Sequence, residues 1–288
     1  MLYCDSHIEF IHPLEDCKKS DKNFSNSQVN PRMISKVKPE LVFLATCVFP
    51  GENAWHKMIK NVNLYLSAVK SNGWILVKSA GDLKRHGIKV ILHIEDLTAI
   101  SDQLDRIQTL YDLGIRSIGL THNLANQFGG GSLSNKRLTK LGKDAIKKIL
   151  KLNIILDLAH LNTKTFFDIM NNFDIKPFVS HAGIFSCYPN KRNVKDEILD
   201  AARKKKGYIG IGFAGSFLGE KTATIRQVEE QINYAVKIAG RNRVGIGSDL
   251  GGIISFLPSG LSNFTKTKNL SIQPDILGKN LLKFLNER

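Results

Sequence analysis

Residues 153–183 read NIILDLAHLNTKTFFDIMNNFDIKPFVSHAG, two short apolar runs separated by a segment whose apolar side chains recur every three or four positions. The runs are too short for helices and too continuously apolar for half-exposed strands, so each reads as a strand covered on both faces, with a helix between them. Strand, helix and strand in that order make one parallel βαβ unit. Both strands run into a histidine, His160 and His181. Outward from this unit the same alternation fills the chain. Strands are expected at 1–7, 41–49, 88–95, 115–120, 153–159, 176–180, 207–213 and 243–247, with helices at 54–71, 101–113, 136–152, 163–173, 194–206, 224–240 and 273–286. Eight such strands favour an α/β fold closed into a (β/α)8 TIM barrel over an open doubly wound sheet. Gly114 and Gly207 fall where a helix must stop, a position that favours a left-handed residue without Cβ. The polar stretch 15–38 reads as a loop or short helix. No linker rich in Pro, Gly or Ser divides residues 1–288, so a single domain is expected.

Bulk properties exclude several classes of function. The hydrophobic fraction of 42% is that of a globular protein, and no stretch approaches the roughly 20 consecutive apolar residues of a membrane span. The opening MLYCDSHIEF carries acidic residues where a signal peptide needs an apolar core, so a cytoplasmic location is expected. Cys4, Cys17, Cys47 and Cys187 show no paired spacing and read as reduced thiols, with Cys4 and Cys47 acting as small hydrophobes. The net charge of +15 raises nucleic acid as a partner, but the lysines are scattered along helical segments and no nucleic-acid-binding pattern accompanies them. Neither nucleic acid nor a membrane is an expected partner.

The chemistry gathers at strand ends. His7 closes the first strand with Glu9 two residues on, Glu95 follows VILHI, His160 follows IILDLA and His181 follows FVS. In a closed parallel barrel the carboxyl ends of the strands converge on one face, so these donors meet. Side chains at i and i+2 of an extended backbone point the same way, which aims His7 and Glu9 together. Imidazoles that fix cations and a carboxylate that bridges them are what a hydrolytic two-metal centre needs, and Glu95 is the natural bridge. His12, His56 and His86 have no such context and read as surface residues. His93, two before Glu95, points inward either as a partner of a ligand or as packing, and Asp157 reads as structural or as such a partner. Gly129–Gly131 lacks the lysine of a phosphate loop and reads as a flexible loop beside the site.

Four further segments carry a resemblance: IRSIGLTHNLANQF, ILDLAHLN, VSHAGIFSCYPNKRNVKDEIL and GIGSDLGG. In this order they resemble the membrane (renal) dipeptidase family of zinc metallopeptidases, over most of the chain and most strongly from residue 88 to 252. The resemblance implies the same barrel and two zinc ions per chain. His7 and Glu9 would bind one, His160 and His181 the other, and Glu95 both. It also implies that His122 contacts the substrate and polarises its carbonyl, that Arg192 holds a carboxylate, and that Asp249 orients the attacking water and handles its proton. The chain departs from the family at Glu9, where aspartate is usual, at Gly251, which replaces a second aspartate, and at Asp96, where glycine is usual. The extra methylene of Glu9 must be absorbed locally, which bears on the occupancy of that ion. The expected function is hydrolysis of the amide bond of dipeptides or dipeptide-like small molecules by a metal-activated water. The alternatives are a barrel hydrolase of another small amide, lactam or ester, and a catalytically silent barrel that binds a partner. A homodimer stays open as the assembly state.

Overall fold

The computed structural model describes residues 2–11, 28–219, 222–253 and 255–288. In chain order the regular elements are β1 (Cys4–Ile8), α1 (Pro31–Val37), β2 (Leu41–Thr46), α2 (Ala54–Ser71), β3 (Ile75–Leu76), β4 (Lys89–Ile94), α3 (Arg106–Leu113) and β5 (Ile115–Gly119). They continue with α4 (Lys140–Lys151), β6 (Ile155–Asp157), α5 (Thr163–Asn172), β7 (Phe178–Ala182), α6 (Asp196–Lys204), β8 (Tyr208–Ile211), α7 (Gly215–Leu218), α8 (Ile225–Ala239), β9 (Val244–Ile246) and α9 (Asn280–Asn286).

All ladders are parallel, in the order β1-β2-β4-β5-β6-β7-β8-β9. The ring closes just beyond β9, where Ile8 bridges Leu250, the Glu9 N–H donates to the Leu250 carbonyl at 2.8 Å and the Asp249 N–H donates to the His7 carbonyl at 2.9 Å. The expected eight-stranded barrel is therefore present. One short strand was not expected: β3 pairs with Lys89 and Val90 at the lower end of β4. Strands alternate inward and outward side chains, and on β7 the register slips between Val179 and Ala182. Such a slip re-aims side chains, and the consecutive Ser180 and His181 both make hydrogen bonds in the interior.

Local differences from the expected boundaries have physical causes. The helix expected at 101–113 begins only at Arg106, because the Asp96 carboxylate caps a tight turn at Leu97–Ile100 and Ser101 then takes φ 55°. Gly114 ends α3 with φ 106°, as expected. Gly207 does not: the left-handed residue is Lys206, φ 56°, and glycine is required at 207 by a close approach, since a Cβ there would lie 2.3 Å from the Pro177 carbonyl oxygen. The part of 15–38 that is described contains α1, capped by the Asn30 side chain. Gly129–Gly131 lies beside the site but is buried and tied down, with the Gly130 N–H donating to Thr165 and Gly131 bridging Leu161. His56 and His86 are exposed, Cys4 and Cys47 are buried, and His12 and Cys17 lie outside the described residues. No helix among the described residues is long and apolar enough to cross a membrane.

The barrel floor is aromatic. Phe178 stacks on Phe43, Tyr208 and Phe284 at 5.5, 5.5 and 5.4 Å between ring centroids, so α9 caps the lower end with the ring of Phe284. Phe178→Ala would leave a cavity that three rigid rings cannot collapse into, and is expected to cost about 3–5 kcal/mol, read as a lowered denaturant midpoint. A loss under about 1 kcal/mol would show that the floor repacks.

Candidate active site

The carboxyl ends of the strands bring the five expected donors into one buried cluster. His7 lies on β1 and Glu9 just past it, Glu95 follows β4, His160 lies in the turn after β6 and His181 lies on β7; all are nine-tenths buried or more. Oε1 of Glu95 is 2.8 Å from His160 Nε2 and 3.6 Å from both His7 Nε2 and His181 Nε2. Glu9 Oε1 and Asp249 Oδ1 approach His7 Nε2 at 3.9 and 3.8 Å. His7, Glu9 and Glu95 form one group of donors with the spacing of a metal site, and Glu95 forms a second with His122 and His160. Glu95 belongs to both.

The protons on these imidazoles follow from their outer partners. His181 Nδ1 is 2.9 Å from Ser180 Oγ, and Ser180 in turn donates to the Asp157 carboxylate. With its one proton spent on Asp157, Ser180 accepts from His181, which leaves a lone pair on His181 Nε2. His160 Nδ1 is 2.9 Å from Asn123 Oδ1, an oxygen that only accepts, so His160 Nε2 also presents a lone pair. These two Nε2 atoms face each other at 2.9 Å beside Glu95 Oε1. The Arg192 guanidinium donates to His181 Nε2 at 2.8 Å, but His160 Nε2 and Glu95 Oε1 converge at 2.8 Å as acceptors with no proton between them, and a divalent cation is a group that would satisfy them. The buried His7 Nδ1 and Nε2 and Glu9 Oε1 have no hydrogen-bond partner among the described residues, and burying unpaired polar atoms is costly. The donor set of imidazole nitrogens and carboxylate oxygens fits zinc.

The electrostatics point the same way. Burial pushes His7, His160 and His181 below the usual imidazole range, His7 to about 3. Burial and then the charge of Glu95 push the Glu9 and Asp249 carboxyls up. Burial alone would raise Glu95 as well, but His160 and His7 outweigh it and hold that carboxyl well below the usual range. The guanidinium of Arg192 is lowered to about 10 by burial, against the opposing pull of Asp249 and Glu95.

Around the cluster lies a cavity of about 310 Å³, lined by His122, Arg192 and Asp249 together with Phe49, Leu133, Phe217 and Ile253. Nη2 of Arg192 is 2.8 Å from His181 Nε2, and the ring of His122 is 4.3 Å from that of His160. Every residue expected at the site is therefore in contact with it. The departures also find a place. Gly251 has φ 97°, and a Cβ on it would fall 1.5 Å from the Glu9 carbonyl oxygen, so no aspartate fits there. A Cβ on Gly252 would lie 3.3 Å from Glu9 Oε2, so this glycine makes room for the longer Glu9 side chain. The Asp96 carboxylate accepts from the Thr98 hydroxyl, from the Thr98 N–H at 2.6 Å, from the His122 N–H at 2.6 Å and from Asn126 at 3.2 Å, and so pins the turn that carries His122.

His93 does point inward, with Nδ1 on Ser117 at 2.9 Å and Nε2 3.3 Å from Asp157, beneath the cluster. Asp157 is the end of the relay to His181. Sequence reasoning did not single out Asn123, Ser180 or Asp5. Asp5 accepts from the N–H groups of His7 at 3.1 Å and Ser248 at 2.9 Å, tying the start of the site to the turn that carries Asp249. Their signal in the sequence is nearness to a candidate site residue: Asp5 lies two before His7, Asn123 follows His122 and Ser180 precedes His181.

Comparison with known proteins gives the chain relatives and a family. Two uncharacterized dipeptidases of Schizosaccharomyces pombe are 29% identical over 220 residues and 30% identical over 192 residues, covering 70% and 64% of this chain. The chain spans about half the length of these relatives, 54% and 46%. Among solved structures, a metallopeptidase from Rhodobacter sphaeroides liganded with a phosphinate mimic of the dipeptide L-Ala-D-Ala superposes with a TM-score of 0.87 at 20% identity, covering 99% of this chain and 98% of that one. A structure described as the dipeptidase AC superposes at 0.86 with 21% identity and the same coverage. At such identity the likeness establishes the barrel fold. The sequence profile of the membrane dipeptidase family matches residues 1–274, and on that match the chain belongs to this family, Peptidase family M19.

Proposed function

We propose that this protein is a zinc-dependent hydrolase that cleaves the amide bond of dipeptides or dipeptide-like small molecules. His7 and Glu9 would hold one ion and His160 and His181 the other, with Glu95 shared between them. The observation that carries this reading is the convergence of two Nε2 lone pairs on each other and on Glu95 Oε1, each fixed from behind by Asn123 or by Ser180 and Asp157. Bound divalent cations supply a nucleophilic water at neutral pH and offset negative charge on the carbonyl oxygen.

The chain's own residues do the rest. Asp249 lines the cavity with Oδ1 3.8 Å from His7 Nε2, so its carboxylate can take the proton of the attacking water and hand it to the leaving amine. His122, fixed through its backbone by Asp96, is placed to donate to the carbonyl oxygen. Arg192 offers a planar donor fork for the substrate carboxylate. Phe49, Leu133, Phe217 and Ile253 give the cavity its apolar wall. The dipeptide mimic carried by the Rhodobacter sphaeroides neighbour supports the substrate class.

Purified protein is expected to hydrolyse members of a dipeptide panel that includes D-residues at the second position, and to lose this on chelation. Hydrolysis that survives chelation would overturn the proposal. Asp96→Ala frees the turn beneath His122 and is expected to lower kcat about tenfold with the metal content retained; an unchanged kcat would remove Asp96 from the account.

A further inference from the structure

A second cavity, of about 400 Å³, adjoins the active site at Leu133 and Arg192, which line both. Its wall carries Lys164, Lys191 and Lys195 in addition to Arg192, and no aspartate or glutamate. Lys164 lies in the first turn of α5, Lys191 in the turn before α6, and Lys195 at the N-cap of α6 with its Nζ 5.9 Å from the centre of the Phe185 ring. None of the three lysines has an ion-pair partner among the described residues, whereas Lys148, Lys204 and Lys205 each have one. Four cations around one concavity repel one another; Asp249 and Glu95 offset Arg192, while no acid lines the wall beside the three lysines. Arg192 is more than nine-tenths buried and its Nε has no hydrogen-bond partner among the described residues. The nearest acid in sequence, Asp196, is engaged by the hydroxyls of Ser186 at 2.9 Å and Tyr234 at 2.8 Å. The positive end of α5 adds to the same field, whereas Asp196 and Glu197 in the first turn of α6 offset that of their own helix.

We infer that this cavity is an anion subsite of the active centre, and that the preferred substrates carry a second negative group beyond the carboxylate held by Arg192. The inference rests on the hydrolase reading above and narrows its substrate class to dipeptides whose C-terminal residue has an acidic side chain, or to compounds with equivalent spacing. A glutamyl side chain leaves the α-carbon beside the carboxylate that Arg192 holds, and the second cavity opens at Arg192. Its carboxylate meets exposed lysines that keep their hydration, so the preference arises from several weak attractions in sum.

The test compares alanyl-glutamate with alanyl-glutamine, which are alike in size and differ by one charge, each with an L- or D-residue at the second position. The wild-type protein is expected to favour the glutamate compound about tenfold in kcat/KM, with the ratio falling as salt is raised. In the combined variant Lys164→Gln, Lys191→Gln, Lys195→Gln the ratio is expected to fall close to one. Equal rates in the wild type, or a preference that survives in the variant, overturn the subsite. Calorimetric titration with N-acetylglutamate and N-acetylglutamine gives an answer that does not depend on hydrolysis. Tighter binding of the glutamate compound that disappears in the variant supports the subsite even when neither dipeptide is cleaved, in which case the hydrolase reading alone fails; equal binding of the two overturns the subsite.

Discussion

Replacement of His160 by asparagine is expected to lower kcat/KM for any dipeptide substrate about a thousandfold or more, equivalent to roughly 4 kcal/mol of lost transition-state stabilisation. Asparagine is chosen because His160 has φ 65°. Among residues with a Cβ, asparagine is one of the few that adopt this left-handed conformation readily, whereas alanine would add backbone strain to the loss of the imidazole. The asparagine side chain does not extend to the position of Nε2, where Glu95 Oε1 and His181 Nε2 meet at 2.8 and 2.9 Å. The variant should therefore fold, with a thermal midpoint near that of the wild-type protein without metal, while binding less zinc and hydrolysing almost nothing. Steady-state kinetics, metal content and a melting curve on the same preparation check all three. Full activity in a folded variant would take His160 out of the reaction.

Arg192→Met is expected to raise KM about a hundredfold for substrates with a free C-terminal carboxylate, with a smaller change in kcat. A charge-assisted, bidentate contact in a buried site is worth about 2–3 kcal/mol, and its loss falls on substrate binding. Stability should move little or rise. Burial lowers this guanidinium to about 10, so the fold already bears the cost of desolvating it, and methionine fills similar volume without that cost. A substrate whose carboxylate is amidated should bind the wild-type and variant proteins alike. An unchanged KM for the free acid, or an equal rise for the amide, would mean that Arg192 shapes the pocket and does not hold the carboxylate.

Much of the fold was legible in advance because strands covered on both faces and amphipathic helices leave periodic signals. The unit at 153–183 contained strand, helix, strand and two site histidines within a single reading frame of alternation. What periodicity could not show was anything set by a local contest. The capping of the Leu97–Ile100 turn by Asp96 delays α3, and the choice of Lys206 over Gly207 for the left-handed position depends on how near Pro177 comes. The two-residue β3 is too short to carry a period.

The donors themselves were legible because a parallel barrel delivers every strand end to one place. Their orientation was not. Whether His181 offers Nδ1 or Nε2 is decided by Ser180 and Asp157, residues that any buried strand might contain. Glu9 in place of aspartate is a departure in the sequence, yet the missing Cβ of Gly252 leaves room beside its carboxylate, and that contact lies across the closing seam of the barrel. The second cavity was also hidden, because Lys164 lies far in sequence from Lys191 and Lys195 and all three read as ordinary solvated charges.

Distant imidazoles and carboxylates that meet at the mouth of the barrel should share divalent cations there. Anomalous scattering at the zinc edge, from a crystal grown without chelator, tests it most directly. Two peaks are expected about 3.5–4 Å apart, each about 2.0–2.1 Å from a histidine nitrogen, with Glu95 touching both and Glu9 reaching the ion of His7. A map without a peak between His160, His181 and Glu95, in a crystal supplied with zinc, would contradict it.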